Sequence, residues 1–173
     1  LKEGLGLVSF IKDILVGLGL NEVITYTLTD KDLLRDFRMC QALEVIEILN
    51  PLTKEQEILR PSLIPSLAAC VAYNLNQKQD YINIFEVSKV FSQSKASTQE
   101  ELSLGIALCG IKSLLLVQGL IKDPVGLLHL KGILEALFAQ QIELSSWFGD
   151  KTYTLVPTEY DDLFHGIDLA LEM

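Results

Sequence analysis

Apolar residues recur at spacings of three and four along several stretches of the chain, as expected for helices that bury one face. In the first stretch Leu7, Ile11 and Leu15 share one side, and charged residues lie on the other. The stretches that follow this rule are residues 7–18, 63–76 and 125–140. A short helix is also predicted for residues 31–37, because a side chain at position 29 or 30 can cap its first turn.

Alternating apolar and polar positions predict the strands, most clearly at residues 81–91. Residues 102–111 are strongly apolar, so this strand is predicted in the middle of a sheet. Further strands are predicted at residues 22–27, 43–49, 143–148, 153–156 and 167–171, and a polar loop at residues 92–99. Residues 112–123 fit no single pattern. Helices and strands do not alternate regularly, so the predicted fold class is α+β, with a largely antiparallel sheet flanked by helices.

The composition indicates a folded domain with an acidic surface. The chain has 173 residues, of which 49% are hydrophobic and 21% charged, an ordinary ratio for a globular protein. This length predicts a single domain over residues 1–173. Because residue 1 is Leu rather than Met, we expect a piece of a longer chain. The net charge of −9 argues against a chain that binds nucleic acid through an overall positive charge. No apolar run is long enough to predict a membrane span.

The cysteines and histidines do not form a recognisable metal or redox motif. The chain has three cysteines that lie far apart in the sequence, Cys40, Cys70 and Cys109. Because their number is odd and their spacing is wide, we predict three reduced thiols in a cytoplasmic protein. His129 and His165 are too few to complete a metal site with them. The glycines form no phosphate-binding motif, and no nucleophile elbow is present. We therefore predict no catalytic, cofactor-binding or metal-binding residues in this chain.

Six motifs occur along the chain in a fixed order. They are Leu-Gly-Leu-Asn-Glu-Val-Ile-Thr-Tyr at residues 18–26, Asn-Pro-Leu at 50–52, Leu-Arg-Pro-Ser-Leu-Ile-Pro-Ser-Leu at 59–67, Asn-Leu-Asn at 74–76, Phe-Glu-Val-Ser-Lys-Val-Phe at 85–91 and Leu-Lys-Gly-Ile-Leu-Glu-Ala-Leu at 130–137. In this order they cover most of the chain. Through them the chain resembles the core domain of the β subunit of bacterial phenylalanyl-tRNA synthetase.

Several residues in these motifs are predicted to be structural. Asn50 and Pro51 favour a turn, and Ser62 with its neighbouring prolines favours a helix start. Arg60 is either an exposed arginine or the bidentate partner of a carboxylate, for which Glu86 is the candidate. Such a pair would join the strand to the helix. The complete set of predicted structural residues is Asn50, Pro51, Arg60, Ser62, Pro65, Asn74, Phe85, Glu86 and Phe91.

The resemblance implies a class II aminoacyl-tRNA synthetase fold, whose working sites hold ATP with two arginines. One arginine ends a Phe-Arg-x-Glu strand and binds the α-phosphate, and the other follows a later glycine-rich motif. Ser92 and Ser94 stand at the positions of the first arginine and its glutamate. The arginines of this chain are Arg35, Arg38 and Arg60, so none follows position 60. Since phosphate charge in the transition state must be met by fixed cations, we expect a domain that has lost adenylation.

The resemblance therefore implies a non-catalytic structural and interface domain of a phenylalanine–tRNA ligase. The partner it implies is the α subunit, which activates phenylalanine with ATP and magnesium and charges tRNA(Phe) in an (αβ)₂ assembly. This part of the β subunit is expected to hold no cofactor, and tRNA(Phe) is expected to contact other domains. Apolar helix faces left over from the core, at residues 5–18 and 127–138, are candidates for the contact with the α subunit, and periodicity does not say which of the two helices makes it.

Two alternatives remain open on the sequence alone. In the first, the chain is a fragment of an active ATP-dependent ligase in which Lys89 or Lys112 replaces an arginine, although a lysine substitutes poorly for a bidentate guanidinium. In the second, it is a stand-alone synthetase paralogue that binds an amino acid in the former active site. Binding of ATP favours the first, and a gene of this length with its own start codon favours the second.

Overall fold

A computed structural model describes residues 2–37, 45–94, 97–116, 119–139, 156–160 and 164–171. The helices are α1 (Lys2–Gly17), α2 (Lys31–Asp36), α3 (Ile64–Asn76) and α4 (Leu127–Ala139). The strands are β1 (Asn21–Glu22), β2 (Leu28–Thr29), β3 (Ile58–Leu59), β4 (Tyr81–Ser94), β5 (Ser97–Leu116), β6 (Gly119–Pro124), β7 (Val156–Tyr160) and β8 (Phe164–Leu171). A 3₁₀ turn at Lys54–Gln56 precedes β3. The four predicted helices are confirmed, although α1 begins earlier than predicted.

The main sheet is mixed. Its strand order is β1-β4-β5-β8-β7, and β6 pairs with the far end of β5. The short β1 is parallel to β4, whereas the other neighbouring strands of this sheet are antiparallel. β2 and β3 form a separate antiparallel pair. The predicted α+β class is confirmed, with antiparallel pairing along the long strands and one parallel pair at the β1 edge.

β4 buries side chains on both of its faces. Phe85 and Val87 pack in one core cluster with α1 and α4, whereas Ile82 and Ile84 pack in a second cluster with α3. This division follows from the two-residue repeat of a strand, which sends neighbouring side chains to opposite faces. The sheet therefore lies between helices, with α1 and α4 on one face and α3 on the other.

The apolar faces of α1 and α4 are used inside the domain. The buried positions are Leu7, Ile11 and Leu15 of α1 and Leu130, Leu134 and Leu137 of α4, all in the first core cluster. These positions are therefore not available to a partner, and the exposed large apolar residues of the same two stretches are Val16, Leu18, Leu127 and Leu128. The buried positions pack against the sheet, because burying them there removes their apolar surface from water without a partner. Among the helices that the structure describes, none qualifies as a candidate membrane span.

Several predicted strand boundaries differ from the structure. Residues 22–27 do not form one strand, because β1 ends at Glu22 and the chain re-enters a ladder at β2. Residues 92–99, predicted as a polar loop, belong largely to β4 and β5, where Ser92 pairs with Gln99. Backbone pairing between two long strands does not require apolar side chains, so the polar composition did not prevent it.

The remaining predicted strands agree with the structure only in part. In the described part of residues 43–49, Glu47 forms an isolated bridge with Ile58 instead of a regular strand. Residues 112–123, which fitted no single pattern, contain the end of β5 paired with β6. β7 begins at Val156, and β8 covers the strand predicted at residues 167–171. The predicted strand at residues 143–148 lies outside the described residues.

β5 changes its partner at Gly110. This residue has a φ of +97°, a conformation that L side chains rarely adopt. Its carbonyl accepts a hydrogen bond from Val125 N at 3.0 Å, and Ile111 N donates to Asp80 O at 2.8 Å. A Cβ at position 110 would lie 2.0 Å from the Asp80 carbonyl oxygen. A glycine is therefore required where the strand leaves β4 and continues beside β6.

Candidate functional site

Arg60 joins three segments through its main chain. It lies between β3 and α3, at the point where the chain crosses the edge of β4. The Arg60 amide donates to Thr27 O at 2.9 Å, and Phe91 N donates to the Arg60 carbonyl at 2.9 Å. These bonds fix the entry to α3 relative to both the β2 segment and β4.

The Arg60 side chain is sealed inside the domain. It is 1% exposed, as is Glu86, and Arg60 Nη1 lies 3.0 Å from Glu86 Oε1. Arg60 Nε also donates to the Lys89 carbonyl at 3.1 Å. A buried charge is stable only when it is paired and hydrogen-bonded, and both conditions hold here. The predicted contact between Arg60 and Glu86 is present, and it joins β4 to the start of α3.

Thr25 completes this arrangement, although it is absent from the predicted site residues. Its hydroxyl accepts from Arg60 Nη1 at 2.7 Å and donates to Glu86 Oε2 at 2.7 Å, and its amide lies 3.3 Å from Glu86 Oε1. Because the threonine hydroxyl takes the second carboxylate oxygen, the ion pair is a single-point contact and not the predicted bidentate one. The only indication of Thr25 in the sequence is the alternation of residues 22–27. In an alternating segment, the side chain of residue 25 lies on the other side from those of residues 24 and 26. We call these three side chains the Arg60–Thr25–Glu86 network.

A glycine lets α3 approach the sheet beside the network. Gly105 is the cross-strand neighbour of Glu86 in the ladder between β4 and β5. A Cβ at position 105 would lie 2.5 Å from Leu67 Cδ1 and 3.1 Å from Leu63 Cβ. The start of α3 therefore packs directly on the backbone of β5.

The helix-start residues behave largely as predicted from their chemistry. Ser62 Oγ accepts a hydrogen bond from Ile64 N at 3.1 Å, and Pro65 lies in the first turn of α3. Proline is suited to this position because its missing N–H would have no partner within the helix. Near the other end of α3, Asn74 Nδ2 donates to the Cys70 carbonyl at 2.9 Å.

The remaining motif residues have separate positions. Asn50 and Pro51 are exposed in the loop that precedes the 3₁₀ turn. Phe85 is fully buried in the core cluster of α1 and α4, and Phe91 is half-buried beside Arg60 on β4. The nine motif residues thus do not converge on one site, and the network brings together two of them, Arg60 and Glu86.

The positions that would bind phosphates hold no available arginine in the described part of the chain. Ser92 and Ser94 lie at the end of β4 that leads into the hairpin with β5. Arg60 is buried against Glu86, and Arg35 pairs with an aspartate on the surface of α2. Arg38 lies outside the described residues.

One of the two lysines considered as substitutes has an acidic partner. Lys89 forms an ion pair with Glu100 on β5, which weakens the hypothesis that Lys89 meets a phosphate. Lys112 lies in the ladder between β5 and β6. Over the described ranges, no group of three or more His, Cys, Asp or Glu residues is arranged to hold a metal ion.

The two cysteines that the structure describes are free thiols. Cys70 and Cys109 are both partly buried in the core cluster of α3. Burial raises the pKa of the Cys109 thiol, so this group stays protonated near neutral pH. Both residues therefore act as small core side chains, and Cys40 lies outside the described residues.

Ile24 and Tyr26 form an exposed apolar pair beside the network. Ile24 is 88% exposed and Tyr26 is 81% exposed, whereas Thr25 between them is half-buried against Arg60 and Glu86. The buried network therefore fixes the backbone of a short segment that presents two large apolar side chains to solvent. Alternation in the sequence did not reveal which side of this segment would be buried.

A surface ion cluster links α2 to the 3₁₀ turn, and it gives a titration prediction. Lys54 and Arg35 both contact Asp32 and hold the pKa of its carboxyl below its ordinary value, the hydrogen bond from Lys54 being the largest cause. We expect NMR titration to place the Asp32 pKa below the ordinary value of an aspartate and Lys54→Met to raise it. A lowered carboxyl pKa favours the folded state above the unfolded pKa, and that contribution is lost as pH falls through the folded value. Lys78→Met is the control; an unchanged Asp32 pKa in Lys54→Met would contradict this assignment.

The described fold is similar to that of a known aminoacyl-tRNA synthetase structure. The structure of Desulfitobacterium hafniense PylSc, a pyrrolysyl tRNA synthetase, is similar over 95% of this chain and 64% of that chain, with a TM-score of 0.58. The two sequences are 17% identical. At this identity the similarity defines the shared fold and carries no conclusion about substrates.

The sequence comparison identifies the family. Residues 3–171 match the phenylalanyl tRNA synthetase beta chain CLM domain. The chain therefore belongs to this family. The phenylalanine–tRNA ligase β subunit of Streptococcus pneumoniae R6 is 35% identical over 141 residues, which are 75% of this chain and 16% of that subunit. The β subunit of Staphylococcus saprophyticus is 43% identical over 81 residues, or 47% of this chain and 10% of that subunit. This chain thus corresponds to a small part of the length of its relatives.

Proposed function

We propose that this chain is a non-catalytic structural and interface domain of a phenylalanine–tRNA ligase β subunit. It supports an α subunit that uses ATP and magnesium to activate phenylalanine and charge tRNA(Phe) in a cytoplasmic (αβ)₂ enzyme. The observation that carries this proposal is the position of Arg60, which the network holds against Glu86 inside the domain.

The chemistry of adenylation supports this interpretation. The reaction needs fixed cations around the phosphates of ATP, since these cations stabilise charge that develops in the transition state. Ser92 occupies the position where the family resemblance expects the first arginine, and it carries no charge. The buried guanidinium of Arg60 cannot reach a phosphate without breaking its ion pair, which costs several kcal/mol. These features favour a role in assembly over a role in chemistry.

We place the contact with the α subunit at Ile24 and Tyr26. The two side chains are large, apolar and largely exposed, and tyrosine is enriched at the centres of protein interfaces. The network already orders the backbone that carries them, so binding would not have to order it again. The core positions of α1 and α4 are buried within the domain and cannot contribute to this contact.

Substitution of the exposed pair tests the contact. In the full-length β subunit, Ile24→Ser and Tyr26→Ser are each expected to weaken association with the α subunit by about tenfold or more, measured by calorimetry or co-purification. Tyr73→Ser is the matched control, because Tyr73 is also a large side chain, is 66% exposed and lies on a different element, α3. Equal losses in the control and the test variants, or no loss in either test variant, would contradict the proposed surface.

Ligand binding tests the absence of catalysis. Calorimetry of this chain with ATP and magnesium is expected to show no binding, because the described arginines are already paired. Binding of ATP would instead support an active ligase fragment. Binding of phenylalanine without ATP would support an amino acid-binding paralogue.

A further inference from the structure

Arg60 carries one more buried donor than its protein partners satisfy. Arg60 Nε and Nη1 have acceptors, but Nη2 is buried without a hydrogen-bond partner among the residues that the structure describes. Buried donors without an acceptor are rare, because they lose their bonds to water on folding and gain nothing in return. The position of Nη2 therefore calls for an acceptor beyond the three side chains of the network.

We propose that Arg60 Nη2 binds one internal water molecule, which links it to Glu86 Oε2. An ionised carboxylate has about four acceptor positions. Glu86 Oε1 accepts from Arg60 Nη1 and the Thr25 amide, and Glu86 Oε2 accepts from the Thr25 hydroxyl. There is room for about one further donor, and a water molecule can donate to Oε2 while it accepts from Nη2.

The charges at the site select water over an ion. Arg60 and Glu86 neutralise each other, and both are 1% exposed. An added anion would place an uncompensated negative charge in a sealed site, and an added cation would face the guanidinium. A neutral molecule that is both donor and acceptor satisfies Nη2 without changing the charge.

The Thr25 hydroxyl supplies one indirect link between Arg60 and Glu86, and the water supplies another. Arginine and carboxylate commonly form two parallel hydrogen bonds. Here one direct contact joins Nη1 to Oε1, and the hydroxyl, which lies 2.7 Å from both Nη1 and Oε2, bridges those two atoms. Nη2 has no acceptor among the described residues, so the water takes the place of the second direct contact.

Crystal structures of the full-length protein that carries this chain test the site, as wild type, Thr25→Ser and Thr25→Val. In the wild type and in Thr25→Ser, which keeps the hydroxyl, we expect one ordered water within about 3.2 Å of both Arg60 Nη2 and Glu86 Oε2. In Thr25→Val, which keeps the shape and replaces the hydroxyl by a methyl group, we expect the water to remain, because the methyl group fills the same space and offers Nη2 no acceptor.

Three outcomes would overturn the proposal. They are a direct contact between Nη2 and Oε2 in the wild type, a carbonyl group from elsewhere in the full-length chain at Nη2, and an absence of water density at a well-ordered Nη2. Loss of the water in Thr25→Val, with Nη2 in direct contact with Oε2, would also overturn the proposal. None of these results depends on whether the domain contacts an α subunit, so they are separate from the test of the proposed function.

Discussion

Replacing Arg60 with methionine is expected to destabilise the chain by about 3–5 kcal/mol, because Glu86 would keep a buried charge without its partner. Both side chains are 1% exposed, so bulk solvent cannot stabilise the remaining charge without opening the domain. Methionine retains much of the apolar stem, so the loss reports the charge and its hydrogen bonds. The measurement is urea denaturation of the wild-type and variant chains at neutral pH.

A double-mutant cycle separates the ion pair from general damage to the core. Glu86→Leu alone leaves the guanidinium unpaired and is expected to cost as much as Arg60→Met. The double variant removes both charges and is therefore expected to cost much less than the sum of the two single changes. Arg35→Met is the surface control, with an expected effect within about 0.5 kcal/mol, because Arg35 pairs with Asp32 in solvent. Additive losses in the cycle would contradict a coupled buried pair.

Of the Arg60–Thr25–Glu86 network, the sequence predicted the two residues that lie in local motifs, Arg60 and Glu86. Arg60 directly precedes a helix start and Glu86 lies within a strand pattern, so their pairing could be proposed from residue type and the order of elements. Thr25 is distant from both along the chain, and nothing in its own segment marks it as a partner for Arg60. Its role depends on how three segments meet at the edge of β4, which is a tertiary property.

The fate of the apolar helix faces has a similar explanation. Periodicity predicts that one side of a helix is buried, but it does not say what covers that side. The spacing of apolar residues in α1 and α4 therefore suited both a core and a partner contact, and the structure places both faces in the core. Conversely, the short alternating segment around Thr25 gave no indication of which side would be exposed. In both cases, packing against the sheet determines which side chains are buried.

Contacts between strands that are distant in the sequence also determine where each strand begins and ends. The polar residues 92–99 predicted a loop, yet residues on both sides of the β4–β5 turn continue the ladder. The predicted strand at residues 22–27 was instead divided, because its middle residues bond to Glu86 and to the Phe85 carbonyl in place of a continuous neighbour. Local propensity is weaker than these non-local contacts when a long partner strand is available.

Gly110→Ala is expected to be the second highly destabilising change, by about 3–5 kcal/mol, because it combines two separate costs. The first is the positive φ of +97°, which disfavours any residue with a Cβ. The second is a steric conflict, since the new Cβ would lie 2.0 Å from the carbonyl oxygen of Asp80. That oxygen accepts the hydrogen bond from Ile111 N, so it cannot move away without breaking the contact that turns β5 toward β6.

Gly19→Ala is the matched control for Gly110→Ala, because it isolates the first of these costs. Gly19 has a φ of +89°, but an added Cβ there would have no atom within 4 Å. Its expected loss in urea denaturation is therefore about 1–3 kcal/mol from backbone strain alone. The difference between the two variants measures the steric conflict with Asp80, and hydrogen exchange at the Ile111 amide should increase in Gly110→Ala only. Equal losses and an unchanged Ile111 amide would mean that the Asp80 turn relaxes easily, and that Gly110 is needed for its φ and not for close approach.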